Sequence, residues 1–394
     1  MTTYTLQHPE KGEISYRDNK RYLWMISTLY PVYPLFGVAL YLQWQLEWLL
    51  FLPLLFIYTL LPLIDWLIGR DNNNPPEEIV TQLQADTYYK WLTVVTVPMH
   101  FLVLLVMAWF VASYEISWPS IIACAAMAGI YNGFAINTAH EMGHKNTLLE
   151  KRLALVALAV PAYGHFCVEH NAGHHKDVST PEDPASARMG ESIYAFARRE
   201  IPGCFRRGVE AEKKRLARSG QSFWSINNHI LQSYTLSLLL QGGLVVVFGW
   251  VMLPFLLVHN VLAWFQLTSA NYIEHYGLLR EKRENGRYER CQPHHSWNAN
   301  FIATNLMLFH LQRHSDHHAN PSRRYQSLRN FEDIPELPNG YFGMFMLAYI
   351  PPLWFKIMDP MLLALPHIQG DLSKINIAPE KRADIEARYG SNPS

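Results

Sequence analysis

The sequence predicts an all-α integral membrane protein. Three observations carry this: six apolar runs of spanning length, connections whose Lys and Arg gather on one side, and histidines grouped at helical spacing. Composition agrees. Of 394 residues, 17% are charged, against roughly 25% in soluble domains. Aromatics reach 13%, with 12 Trp and 21 Tyr, residues that settle at bilayer interfaces. Mean hydropathy is near zero, so a sizeable polar part offsets the membrane part. The 33 basic residues balance the 33 acidic ones, and nothing global points to nucleic acid.

A span needs about 20 mainly apolar residues. The runs are Tyr22 to Leu42, Trp48 to Leu67, Trp91 to Ala112, Ile116 to Thr138, Ile230 to Trp250 and Met252 to Ile273. Asp65 falls near the end of the second, within reach of the interface, and Glu274 closes the sixth. Two further stretches read as buried or interfacial helices. Leu153 to Val168 is short and broken by Pro161, and Tyr341 to Pro366 carries Pro351-Pro352, Lys356 and Asp359. Met1 to Asp18 is polar and lacks the layout of a cleaved signal. Asp371 to Ser394 reads as a polar tail.

Loop charge orients the bundle. The turns at Gln43 to Glu47, at Ser113 to Ser117 and between the last two runs carry no Lys or Arg, whereas Glu141 to His229 carries thirteen. The positive-inside rule places the N-terminus, that long connection and the C-terminal region in the cytoplasm. The chain then divides into residues 1–138 (N-terminal segment and four spans), 139–229 (cytoplasmic connection), 230–275 (two spans) and 276–394 (cytoplasmic C-terminal region).

Cys124, Cys167, Cys204 and Cys291 form no C-x-x-C pair, so neither a zinc ribbon nor a rubredoxin-type iron site is encoded. No flavin fold or dinucleotide fingerprint is visible either.

The 18 histidines cluster. His140-Glu141-Met142-Gly143-His144 is one group, Glu169-His170-Asn171-Ala172-Gly173-His174-His175 a second and His314-Ser315-Asp316-His317-His318 a third, while His275 follows the sixth run. Residues four apart share a helix face. His140 and His144 can therefore hold one metal, and His170 with His174 repeats the spacing, leaving His175 to reach a second. His314, His317 and His318 form a similar set. Nine imidazoles exceed the four of a usual zinc site and divide naturally between two metals. An all-nitrogen site suits iron, copper, zinc or nickel. The H-E-x-x-H at His140 also matches the zinc-protease motif, a reading that leaves most of the other histidines unexplained. A lone histidine would be a hydrogen-bonded core residue, and so His8, His100, His229, His259 and His367 are read. His165, His294, His295 and His310 lie near the clusters, where a supporting role is as natural as a structural one. Metal-bound imidazoles usually donate their other N–H to a carboxylate or carbonyl; Glu141, Glu169, Glu274, Asp316, Asp177, Glu182 and Asp183 are the candidates.

These groups, with Thr180 to Arg188, Asn271 to Gly277, His295-Ser296-Trp297-Asn298 and Leu311 to Pro321, resemble the bacterial alkane 1-monooxygenases. That family sits within the membrane di-iron superfamily of desaturases and hydroxylases. The resemblance covers nearly the whole chain. Asn271 to Gly277 is its most specific part, since desaturases lack it; xylene monooxygenase shares much of the pattern. Met142 stands where Leu is common. The resemblance implies two non-haem irons, without haem or flavin, held by His140, His144, His170, His174, His175, His275, His314, His317 and His318. It implies O2-dependent hydroxylation of the terminal carbon of medium-chain alkanes at the inner membrane. Electrons would come from rubredoxin, reduced by an NADH-dependent reductase. A xylene-type methyl hydroxylase or a fatty-acyl desaturase on the same metal core is the alternative.

The substrate then accounts for the membrane. Each buried CH2 favours an apolar phase by about 0.8 kcal/mol, so an alkane arrives through lipid. A narrow apolar channel ending at the metals is expected, its length limit set by bulky residues of the first four spans. The basic run Arg198-Arg199, Arg206-Arg207, Lys213-Lys214-Arg215 and Arg218 is a candidate docking face for an acidic electron donor, although positive-inside loops and contact with anionic lipid explain it without a partner.

Overall fold

In the computed structural model, which describes residues 2–390, five helices are long and apolar enough to cross a membrane. They are Glu47–Ile68, Thr87–Ser113, Trp118–Gly143, His229–Phe248 and Met252–His275. A sixth crossing is Met25–Val32 with Pro34–Trp44, bent by 48°. Pro31 and Pro34 sit at that break, where missing N–H groups and ring clashes interrupt a helix. The chain is a multi-pass membrane protein. Its spans expose Leu238, Leu239, Val246 and Val247, apolar side chains suited to contact with lipid. Exposed tryptophans mark both interfaces. Trp44, Trp48, Trp118 and Trp250 lie at one level, and Trp66, Trp91 and Trp224 at the other.

The up-and-down course brings the ends of the fourth and sixth spans to one surface. The fourth continues past Thr138 and carries His140 in its last turns, with His144 as its cap residue. The sixth ends at His275. The two cross so closely that a Cβ on Gly129 would lie 2.4 Å from the His259 carbonyl oxygen. Beside that crossing Asn132 is hydrogen-bonded to both His100 and His259, which places these two histidines in the packed core as the sequence suggests.

Above this surface lies a helical cap. Leu148–Ala159, Tyr341–Ala348 and Pro351–Leu363 are too short to span. Ile193–Arg218 is long but polar on one face. Three expectations need correction here. Asp65 is not at the interface: it is fully buried, accepting from the Thr304 N–H (3.0 Å) and hydroxyl at the start of Ile302–Met307. A buried carboxylate there satisfies a helix N-terminus that would otherwise be orphaned. The C-terminal region is not merely a polar tail. Ile375, Ile377 and Ile385 join a core with Tyr272, Tyr276, Trp354 and Met358, and Arg382–Tyr389 is helical; residues 391–394 lie outside the described residues. The polar N-terminus forms an antiparallel hairpin, Thr3–His8 with Gly12–Arg17. Alternating Tyr4, Leu6, Ile14 and Tyr16 pack it against Ile79, Leu83 and Tyr89.

A buried ionic knot ties this hairpin's end to the third histidine group. Asp71 pairs with Lys20, with Arg313 (3.1 Å) and with His310 (3.3 Å). Burial alone would raise the Asp71 carboxyl, but His310, Lys20 and Arg313 outweigh it and hold it far below the carboxylate range.

Candidate metal centre

All nine clustered histidines converge at the mouth of the bundle, in two sets. His140, His144, His170, His175 and His317 form one, and His174, His275, His314 and His318 the other, each with ligand atoms within 4.8 Å of one another. In the first set Nε2 of His317 lies 2.9 Å from that of His140 and 3.1 Å from that of His175, itself 3.0 Å from His170 Nε2. In the second, His314 Nε2 is 3.2 Å from His275 Nε2 and 2.9 Å from His318 Nε2. The sets adjoin: the His175 and His318 ring centres are 4.6 Å apart.

The partition differs from the helical-spacing expectation. His170 and His174 do not share a set, and His317 parts from His314 and His318. Residues His170–His174 form a π-turn. The wider turn puts residues five apart on one face, so His175 joins His170 and His174 swings to the second set. His314–Ala319 is a regular helix; His314 and His318, four apart, face one set, and His317 faces the other.

The residues fit bound cations. Nε2 of His144 and of His174 are buried with no hydrogen-bond partner among the described residues. Burial and the neighbouring imidazoles push His144, His170, His175, His314, His317 and His318 well below their ordinary range, leaving neutral rings with free lone pairs. His174 differs. Burial would lower it, but Asp183 raises it. Asp183 Oδ2 lies 2.9 Å from His174 Nδ1, so the ring keeps its proton there and presents Nε2 to the centre. Arg207 locks this carboxylate (2.6 Å) and also grips Glu169 (2.7 Å), and Ser186 donates to it (2.7 Å). The Arg207 clamp is a residue the sequence reading missed as part of the site. Its signal is Gly173: a Cβ there would meet Arg207 Nε at 2.6 Å.

The other carboxylates do different things. Glu141 pairs with Lys145 (3.1 Å). Asp316 takes Arg323 (2.9 Å), the Arg329 N–H and Asn320. Glu182 accepts from Tyr288, and Asp177 lies 3.6 Å from Arg207. Glu274 Oε2 stands 3.4 Å from His314 Nε2, on the inner side of the second set. His310 belongs to the Asp71 knot, and His165 hydrogen-bonds Tyr234. Glu289, His294 and His295 form a separate, partly buried group. Both ring nitrogens of His295 are engaged there: Nδ1 accepts from the Gln292 N–H and Nε2 lies 3.2 Å from Glu289.

An apolar cavity opens onto both sets. Phe134, Ile136, Leu267, Ala270, Leu308 and Phe345 form its walls, and His140, His170, Glu274 and His314 its inner end. On the outer side a broad bowl is lined by Lys151, Arg152, Lys176, Lys214 and Arg218, with Gly143, Asn171 and Gly173 as its floor. Arg199 and Arg215, from the predicted basic run, are instead paired with Glu191 and Glu212.

An apolar helical bundle capped by two imidazole cages defines a membrane metalloprotein of the histidine-rich kind. Residues 116–348 match the fatty acid desaturase family. Alkane 1-monooxygenase 1 of Alcanivorax borkumensis is 51% identical over 99% of this chain and 97% of its own length. The alkane 1-monooxygenase of Pseudomonas putida is 51% identical over 96% and 93%. The hydroxylase component of the xylene/toluene monooxygenase of Pseudomonas putida is 29% identical over 56% and 58%. The chain belongs to the alkane 1-monooxygenase family.

Proposed function

We propose that this protein hydroxylates the terminal carbon of medium-chain n-alkanes at a di-iron centre held by His140, His144, His170, His175 and His317 on one side and His174, His275, His314 and His318 on the other. The observation that carries the reading is the apolar cavity ending at both imidazole sets. A terminal C–H bond is strong and unpolarised, and no side-chain acid, base or nucleophile attacks it, so a redox cofactor must supply the chemistry. Iron, when bound, supplies the reductive activation of O2: one oxygen atom enters the substrate and the other, with two electrons and two protons, leaves as water.

The chain's own residues do the rest. Phe134, Ile136, Leu267, Leu308 and Phe345 hold the hydrocarbon and exclude water. The helix ends at His140 and His275 set the depth at which the terminal carbon stops. Asp183 and Arg207 keep His174 in one tautomer and orientation. Electrons come from rubredoxin, reduced in turn by an NADH-dependent reductase, and the basic bowl is where an acidic donor would dock. Its floor residues Gly143 and Gly173 are sequence neighbours of His144 and His174. The basic loops on the metal side support a cytoplasmic orientation of that side, in a protein of the bacterial inner membrane.

Purified protein with iron, rubredoxin and a reductant, offered octane, xylene and an acyl substrate separately, tests this. The expected result is 1-octanol as the main product and two irons per chain. Preferential turnover of xylene or the acyl chain, or a single zinc in active enzyme, would overturn it. The 51% identity to alkane enzymes, against 29% to the xylene enzyme, favours octane.

A further inference from the structure

Apart from the two imidazole sets, Glu289, His294 and His295 offer ligand atoms within 4.8 Å of one another. A fourth group joins them from far along the chain. His367, in the turn after Pro351–Leu363, sets its ring centre 4.6 Å from that of His294. Rings within the first imidazole set stand at the same spacing, 4.6 Å for His140 with His170 and for His144 with His175. His294 and His367 are half-buried, and neither ring makes a hydrogen bond among the described residues. Burial pushes His294 below its ordinary range and His367 down to about 4, which leaves neutral rings with free lone pairs. His295 plays a different part. Its Nδ1 accepts from the Gln292 N–H, so its proton sits on Nε2, 3.2 Å from Glu289 Oε1. That ring is a donor to the carboxylate and not a ligand; it orients Glu289 as outer partners orient metal ligands.

We infer that Glu289, His294 and His367 form a further metal site, for one zinc-type divalent cation, separate from the centre held by the nine clustered histidines. Two imidazoles and a carboxylate suit zinc, and three protein ligands leave a fourth position for water. The ion ties three stretches together: the hairpin closed by the Lys282–Tyr288 bridge, the turn Pro293–His295, and the turn after Pro351–Leu363. Residues 281–287 of that hairpin are exposed. On the inner side, the His295 carbonyl accepts from the Ser179 hydroxyl (2.7 Å) and the Trp297 N–H donates to the Glu274 carbonyl (2.8 Å). The ion therefore braces the segment that leads from the exposed hairpin to the second imidazole set. This site does not depend on the alkane reading.

The test fills the imidazole sets of the full chain with iron, in lipid, and then adds zinc chloride. Elemental analysis after desalting is expected to find one zinc gained per chain and no iron lost. Glu289→Gln and His367→Ala should each weaken zinc about tenfold or more in competition with a chelator, with iron content unchanged. Wild type also gives a reading that does not depend on how the variants fold: zinc should slow tryptic cleavage at Arg283 and Arg287 about fivefold, by holding the hairpin closed. No zinc gained, zinc gained only as iron is lost, or zinc held by both variants as tightly as by wild type overturns the inference. Zinc bound with no change in cleavage places the ion elsewhere and overturns it too.

Discussion

Asp183 is the carboxylate most closely bound to the centre's geometry. It fixes the tautomer of His174, and Arg207 and Ser186 fix it in turn. Residues that orient a metal ligand through its other nitrogen usually contribute 10–100-fold in metal affinity. Asp183→Ala should therefore lose bound metal about tenfold more readily in a chelator titration, with helix content unchanged; wild-type retention would refute the role. Gly173→Ala acts on the same clamp from the opposite side. Its Cβ would intrude on Arg207 and on Glu169 Oε1, displacing the guanidinium and costing about 1–3 kcal/mol in stability. A denaturation midpoint equal to wild type would show that Arg207 has room to move.

At the level of elements, the π-turn at His170–His174 decides which imidazoles share a centre. Deleting Ala172 would restore ordinary helical geometry and withdraw His174 or His175 from its set. The expected outcome is about half the metal that wild type binds, by elemental analysis of protein with wild-type circular dichroism. Unchanged metal content would mean that the neighbouring helices, and not the turn, set the partition. The short helix His314–Ala319 needs no such device, because ordinary spacing already sends His317 to one set and His318 to the other.

Across the whole molecule, the knot of Asp71, Lys20, Arg313 and His310 joins the N-terminal region to the strand of chain that carries the third histidine group. Removing one partner of a buried ionic cluster costs about 3–5 kcal/mol, so Asp71→Asn should lower the thermal midpoint markedly. The pH dependence has a definite sign. The folded value of Asp71 lies below the unfolded value of about 3.9. Its stabilisation is therefore complete above about pH 5 and drains away as pH falls. Thermal scans at pH 7 and pH 4 should show wild type losing more on acidification than the Asn variant; equal losses would assign the acid sensitivity elsewhere.

The apolar runs and the nine clustered histidines were legible in the sequence because each is a local property. Span length is set by bilayer thickness, and spacing of four is set by helical pitch. The N-terminal hairpin was also within reach, since Tyr4-Thr5-Leu6 and Ile14-Ser15-Tyr16 alternate around a glycine turn. What tertiary structure alone decided is the division of the imidazoles into five and four, the choice of Asp183 over Glu141 or Asp316 as the partner of a metal-facing ring, and the burial of Asp65 and the C-terminal isoleucines. These depend on how closely helices distant in the chain approach one another and which donors they leave unpaired, and no periodicity along one strand of sequence carries that information.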